Sequence, residues 1–398
     1  MIDARAARAD PGEFRRRLAR KGAAEAFDAW LAADERWRAV VPRVDDLRAQ
    51  TKLKGKPTPE QLEELRGVKE ELQQAEHELA EAEAARDATL AQLPNPPDDS
   101  VPDGDTDEDA EEIRRWGEPP QLEDAKEHTE VGRFDMERAA RLSGARFGYM
   151  IGDTALLALA VYRHAIETVH AEGFLPVLPP VLVREEAMYG TGFFPTDRSN
   201  IYSLPEDELY LTGTSEVALA GLHMGEILDE LPLRYAGYST NFRREAGAAG
   251  KDTRGMFRVH QFNKVEMFVY CEPRASADEH ERLLAIEESI LQALELPYRV
   301  VNVAAGDLGA PAAKKYDCEG WFAHQQRYRE LTSTSNTTDF QARRLGIRYR
   351  EGKNLEPVHT LNGTATVDRV ALAILENFQG GVPDVLQRYG APAQISRN

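Results

Sequence analysis

The chain has 398 residues and a formal net charge of −19, from 49 Lys and Arg against 68 Asp and Glu. Its length allows two or three domains with a substantial core. Its negative charge excludes wholesale coating of a nucleic acid, so any RNA contact must use a local basic patch. Two cysteines, Cys271 and Cys318, are too few for a disulfide framework or a four-ligand zinc site, which points to a reducing compartment. The opening MIDARAARADPGEF lacks the apolar core of a signal peptide, and no apolar run reaches membrane-spanning length. A soluble cytoplasmic protein with no membrane contact is expected.

As far as Leu93, Ala, Glu, Arg and Leu dominate and strand signals are absent. Trp30, Trp37, Val44 and Thr51 recur every seven residues, interleaved with Ala33, Val40, Leu47 and Lys54. Leu65, Leu72, Leu79 and Arg86 do the same, interleaved with Val68, Ala75, Ala82 and Thr89. Two heptad stretches joined by GKPTP (Gly55 to Pro59) predict an antiparallel coiled-coil hairpin over residues 1–93. Pro57 and Pro59 suit the tip and the first turn of the second helix, and Pro42 predicts a bent first arm helix. The second helix is acidic, whereas Arg43, Arg48, Lys52, Lys54 and Lys56 gather toward the tip. Charge alone favours a solvated coiled-coil face. The functional alternative is a phosphate-backbone contact with counterion release.

The Pro/Asp/Gly-rich stretch from Pro94 to Glu112 predicts a linker over residues 94–115 that builds no packed core. Helix and strand signals then mix over residues 116–398. Thr154 to Gly173 reads as an apolar helix ended by glycine, and FLPVLPPVLV carries prolines that confine a strand to an edge or interface. Strands are predicted at Glu208–Thr212, Leu233–Phe242, Phe257–Tyr270, Tyr298–Val303 and Glu330–Ser333, with a closing helix over Thr366–Gln379. Helices grouped around consecutive strands give an α+β fold with an antiparallel sheet, not a doubly wound one. No G-x-x-x-x-G-K-[ST] is present, which rules out a P-loop.

Four clusters carry chemistry. NFRREAGAAGKDTRGMFRVHQFNKVEMFVY (Asn241 to Tyr270) places guanidinium forks between strand-like flanks, a pattern suited to a nucleoside polyphosphate on an open antiparallel sheet. TGTSEVAL (Thr212 to Leu219) sets short hydroxyls beside Glu216, though a helix cap explains it equally well. RELTSTSNTTDFQARR (Arg329 to Arg344) puts Glu330 before a hydroxyl-rich run. HTLNGTATVDR (His359 to Arg369) reads as a small-residue loop placing Arg369 at a helix start. Each has an ordinary structural explanation, and Phe262 alone would be one more core aromatic. All four in this order are hard to reach by accident.

With these residues the chain resembles the seryl-tRNA synthetases, class II aminoacyl-tRNA synthetases, over essentially its whole length. FRREAGAAGKDTRGMFRVHQFNKVE is similar to the second class motif, and LNGT…R…AILEN to the third. LTGTSEV, GDLGAPAAKKYD and STSNTTDFQARR are similar to the serine-specific segments, and GFLPVLPPVLV with Pro180 to the first motif, at a dimer interface. The resemblance implies activation of L-serine by ATP and transfer to tRNA(Ser) by a homodimer, and leaves open whether tRNA(Sec) is a further acceptor.

Arg243 and Glu245 would hold the α-phosphate and the adenine amino group, and Phe262 and Arg369 would stack on adenine. Arg244, Val259, Leu331 and Thr332 complete the implied ATP set, and Arg243, Glu330 and Arg369 the catalytic one. Glu330 and Ser333 would bind Mg²⁺. Thr214, Ser215, Glu216, Arg243, Glu266, Asn362 and Thr364 would bind serine, and the basic tip would reach tRNA. Asn241 and Thr337 stand where the family commonly has cysteine, and the third-motif loop is one residue short. That loop sets Asp368 beside Arg369, where a carboxylate would lower ATP affinity or pair with an arginine. A specialised paralog (inhibitor-resistant or biosynthetic), an amino-acid:carrier-protein ligase and a non-catalytic RNA-binding paralog stay open as alternatives.

Overall fold

The computed structural model describes residues 1–52, 58–247, 250, 252 and 255–397. They form two compact units, Met1–Pro96 and Pro97–Asn398.

The first unit is helical. Two short helices that the heptads do not announce, α1 (Ala4–Ala9) and α2 (Pro11–Ala19), precede α3 (Ala24–Gln50) and α4 (Pro59–Gln92). Each short helix starts on an aspartate that accepts otherwise orphaned N–H groups: Asp3 from Arg5 and Ala6, Asp10 from Glu13. Thr58 opens α4 with a capping box, since its hydroxyl accepts from the Gln61 N–H and the Gln61 side chain accepts from its own. Pro59 takes the first helical position, where its missing N–H costs nothing. The heptads meet as expected, with Val40, Val44 and Leu47 on Ala75, flanked by Val68, Leu72 and Leu79. Nearer the helix ends, Phe27 and Trp30 pack with Leu18, Leu90 and Leu93. Pro42 does not interrupt α3, because Val40 and Val44 on either side are held in that core.

Two members of the basic tip set are tied down. Arg43 donates to Glu71 and Glu78, and Arg48 to Glu76, so both guanidinium groups clasp α4. Lys52 is exposed at the end of α3, and Lys54 and Lys56 lie outside the described residues.

The second unit is built on an eight-stranded sheet among the described residues. In chain order the strands are β1 (Glu111–Trp116), β2 (Leu175–Val177), β3 (Leu233–Phe242), β4 (Gln261–Cys271), β5 (Tyr298–Asn302), β6 (Lys314–Phe322), β7 (Arg327–Asn336) and β8 (His359–Val367). Side by side they run β1-β5-β6-β7-β8-β4-β3-β2, antiparallel except for β2 with β3. The helices that matter for the site are α5 (Asp153–Ala171), α6 (Glu185–Thr191), α7 (Glu216–Gly221), α8 (Ser276–Ala293), α9 (Phe340–Leu345) and α10 (Asp368–Phe378).

α5, α8 and α10 bury one face of the sheet, with Leu157, Leu284, Ile290 and Ile374 meeting Val265, Met267, Val269 and Leu361. On the other face Phe268 and Tyr270 pack with Leu219 of α7 and Leu345 of α9. Successive residues of a strand point to opposite faces. Lys264 and Glu266 share the parity of Phe268, so the sequence KVE puts two charges on that second face.

The structure corrects three expectations. The segment His359 to Val367 is a central strand, not a loop: its small residues fit tightly between β7 and β4, and a Cβ at Gly363 would stand 3.0 Å from a Glu287 oxygen behind it. The linker is in part structured. Val101 packs with Val303, Ala305 and Leu308, and Glu111–Trp116 pairs with β5, an edge role that its polar composition conceals. The strand expected from Phe257 starts at Gln261, and the one at Glu330–Ser333 extends over Arg327–Asn336.

Candidate active site

Two adjoining cavities of about 100 and 340 Å³ open on the second face and share Arg243, Lys264, Glu330 and Ser333. Arg243 stands where they meet, at the end of β3. Its backbone N–H donates to the His260 carbonyl at 2.9 Å and its Nε to the Gly213 carbonyl at 3.2 Å. Its guanidinium carbon lies 5.2 Å from the centre of the Phe262 ring. One backbone and two side-chain restraints hold the fork ready for an anion.

The smaller cavity is lined by Glu245, Val259, Phe262, Thr364 and Arg369. Glu245 adopts a left-handed φ of 53° and accepts from Arg258 at 2.7 Å. Arg369, in the first turn of α10, donates to the Phe257 and Glu330 carbonyls, each at 3.1 Å. Its guanidinium carbon lies 4.5 Å from the Phe257 ring centre, and that of Arg329 lies 3.8 Å from the same ring. Aromatic faces and cations here suit a planar base carrying phosphates.

Thr214, Glu216, Glu266 and Asn362 line the larger cavity. Glu216 accepts from Gln341 at 2.7 Å and Asn362 at 3.0 Å. Burial, followed by the like charge of Glu266, pushes its carboxyl up to about 7. Glu266 is ion-paired with Lys264 and accepts from the Thr364 hydroxyl at 3.3 Å. Two carboxylates with amide and hydroxyl partners make a small polar pocket for an ammonium group beside a hydroxyl.

Glu330 and Ser333 face both cavities from β7. Partial desolvation opposes ionisation of Glu330, but Lys315, Arg369 and Arg243 outweigh it and hold the carboxyl down at about 2. Because the side chain is almost half exposed, this permanent carboxylate can take a further cation from solution. The two oxygen donors fit Mg²⁺, which takes one or two protein ligands and completes its shell with phosphates and water.

Other expected site residues turn elsewhere. Thr332 faces away and donates to the buried Glu287 at 2.8 Å, whereas Leu331, packed with the helix-side core, still lines the smaller cavity. Ser215 bonds Ser239 and the Gly237 carbonyl, anchoring α7 to β3. Arg244 lies by the Tyr202 ring, away from both cavities. Asp368 pairs with no arginine among the described residues: it accepts from the Tyr162 hydroxyl and from the Asn263 N–H, and burial pushes its carboxyl up to about 6. Conversely, the structure adds Lys264, Lys315, Phe257 and Gln341 to the site. Lys264 was signalled by its i+2 spacing from Glu266; Gln341 lies within the STSNTTDFQARR segment, but only tertiary packing, which brings α9 to α7, shows its role.

The antiparallel sheet and its two-part cavity define a class II tRNA synthetase core, and residues 201–378 match the family model described as the tRNA synthetase class II core domain (G, H, P, S and T). Residues 1–97 match the seryl-tRNA synthetase N-terminal domain. The serine–tRNA ligase of Mycolicibacterium vanbaalenii is 49% identical over 95% of this chain and 94% of that protein, and that of Mycobacterium bovis 47% over 97% of each. The chain belongs to the serine–tRNA ligase family. It is similar throughout to the crystal structure of seryl-tRNA synthetase from Pyrococcus horikoshii complexed with ATP, with a TM-score of 0.93, 38% identity and 99% of both chains covered. No helix among the described residues is long and apolar enough to cross a membrane.

Proposed function

We propose that the chain activates L-serine with ATP and passes the seryl group to the 3′-terminal adenosine of tRNA(Ser). The observation that carries this is Arg243 at the junction of a base-and-phosphate cavity with an ammonium-and-hydroxyl cavity. ATP occupies the smaller one, its adenine against Phe262 and Arg369 and its amino group toward Glu245. Serine occupies the larger one, its ammonium toward Glu216 and Thr214 and its hydroxyl toward Glu266, with Asn362 and Thr364 at the wall. A serine carboxylate oxygen then attacks the α-phosphorus; the new O–P bond forms as the bond to pyrophosphate breaks. Arg243 counters the charge that builds at phosphorus, and holding both reactants in line supplies the rest. Mg²⁺ held by Glu330 and Ser333 would neutralise phosphate charge when bound. In the second step the adenosine hydroxyl oxygen bonds to the serine carbonyl carbon, and AMP and the hydroxyl proton depart.

Pyrophosphate exchange across the amino acids, with and without Mg²⁺, tests this directly. Serine alone should support exchange, and alanine should be rejected by about ten thousandfold, because it leaves hydroxyl-binding groups buried and unpaired. Exchange with no amino acid would sink the reading. Charging of tRNA(Ser) and tRNA(Sec) then separates the two acceptors, and absent charging despite exchange would favour a carrier-protein ligase. Asp368, bonded to Tyr162 and Asn263, supports an intact ATP site over a weakened paralog.

The helical unit, residues 1–93, is proposed as the tRNA-binding arm and residues 116–398 as the catalytic domain. With Arg43 and Arg48 engaged by glutamates, the RNA contact falls to Lys52, Lys54 and Lys56. Changing all three to alanine is expected to lower charging kcat/KM about tenfold or more through lost phosphate contacts, with exchange unchanged. An equal fall in exchange would assign the lysines to folding.

A homodimer is supported by exposed Leu156 and Leu159 on α5 and by exposed Leu175 and Leu178 near Pro180, apolar side chains that a second copy would cover. Sedimentation at twice the chain mass is expected, and at the single mass would refute it. A cytoplasmic setting is in keeping with Cys271 and Cys318, both buried free thiols, and cell fractionation checks it.

A further inference from the structure

Strand β8 ends at Val367, paired with Lys264 of β4. The next rung would join Asp368 to Asn263, but Asp368 already opens α10 and its backbone has left the ladder. Its side chain takes over the rung. Asp368 Oδ1 accepts the Asn263 N–H at 3.1 Å and also accepts the Tyr162 hydroxyl from α5. On the far side, the Asn263 side chain accepts from Thr240 of β3 at 2.7 Å. One carboxylate oxygen thus ties the helix start to β4, with α5 as a brace. The residues flanking this contact are Phe262, next to Asn263, and Arg369, next to Asp368, both lining the smaller cavity.

We propose that Asp368, braced by Tyr162, is a positioning residue for ATP: it fixes the spacing between the Phe262 ring and the Arg369 guanidinium. It touches neither the serine-side groups nor Arg243, so its effect is confined to the nucleotide half of the site. The proposal rests on the reading of the smaller cavity as the ATP site. A separate cavity of about 380 Å³, lined by Tyr162, Tyr238 and Asp368, adjoins the carboxylate on its other side. After truncation, water from there can satisfy the freed N–H, which favours a folded variant.

The test is pyrophosphate exchange with the full chain, varying ATP at saturating serine and serine at saturating ATP. Asp368→Ala is expected to raise the ATP KM about tenfold, the loss of one charge-assisted hydrogen bond, with the serine KM and kcat within about twofold. Asp368→Asn keeps an oxygen that can accept both bonds and should restore most of the ATP affinity. Tyr162→Phe removes only the brace and should fall between the two. An unchanged ATP KM in Asp368→Ala, beside normal exchange by the unaltered chain, overturns the positioning role alone. Equal rises in both KM values without rescue by asparagine assign Asp368 to general folding and overturn it too. No exchange by the unaltered chain removes the reading of the site and this proposal with it.

Discussion

Changing Arg243 to alanine is expected to lower kcat/KM for pyrophosphate exchange by about a hundredfold to a thousandfold, the scale seen when a preorganised donor to transition-state charge is lost. The argument is geometric. The Nε–H is spent on the Gly213 carbonyl at 3.2 Å, the backbone N–H on His260 at 2.9 Å, and the Phe262 ring lies against the guanidinium. With its stem fixed, the fork needs no reorganisation as charge builds. Arg243→Lys should rescue little, because an ammonium cannot keep the Gly213 bond and present a planar fork at once. Stability should change little by comparison, since one hydrogen bond of this kind contributes about 1 kcal/mol. Initial rates and a melting curve decide the matter. A rise in KM with kcat preserved would reduce Arg243 to a ground-state contact.

How far the sequence foretold this site depends on which force placed each residue. Local periodicity placed the arm: the heptads at Val40, Val44, Ala75 and Leu79 meet as their spacing implies. It also placed β3, whose bounds match the alternating run from Leu233 to Phe242. Strand β8 was illegible, because Thr, Gly, Ala and Asn resemble a loop until two neighbouring strands supply their hydrogen bonds. Which residues of β7 face the site is hidden for a subtler reason. The register shifts between Thr332 and Glu330, so Leu331 is an extra residue and the simple alternation from Glu330 breaks. Thr332 consequently points to Glu287 on the helix side, while Glu330 and Ser333 share the site. A bulge leaves no mark in composition. The fate of Arg43 and Arg48 was equally hidden, since only helix pairing shows that glutamates 28 residues on face them.

Glu216→Gln should weaken serine binding and strengthen the fold in one step. The folded carboxyl titrates at about 7, above its ordinary 4.5, because burial and Glu266 oppose its charge. Between those values the folded chain holds a proton that the unfolded chain has released. The stability present below pH 4.5 is therefore lost as pH rises through 7, by an amount on the order of 3 kcal/mol. Glutamine keeps an oxygen to accept from Gln341 and Asn362 but never ionises, so it escapes that loss. The variant should melt a few degrees above the unaltered chain at pH 8 and close to it near pH 5. Its serine KM at pH 8 should rise about a hundredfold, as expected when one partner of a buried charge pair is removed, while the ATP KM stays put. In the unaltered chain the serine KM should climb as pH falls below 7, since a protonated Glu216 no longer attracts the ammonium; the variant should show no such climb. Matching pH profiles for the two chains would place the ammonium elsewhere, and equal melting at pH 8 would mean that Glu216 carries no charge penalty in the free enzyme. If both effects appear together, the chain keeps a destabilising carboxylate because serine supplies its missing counter-charge.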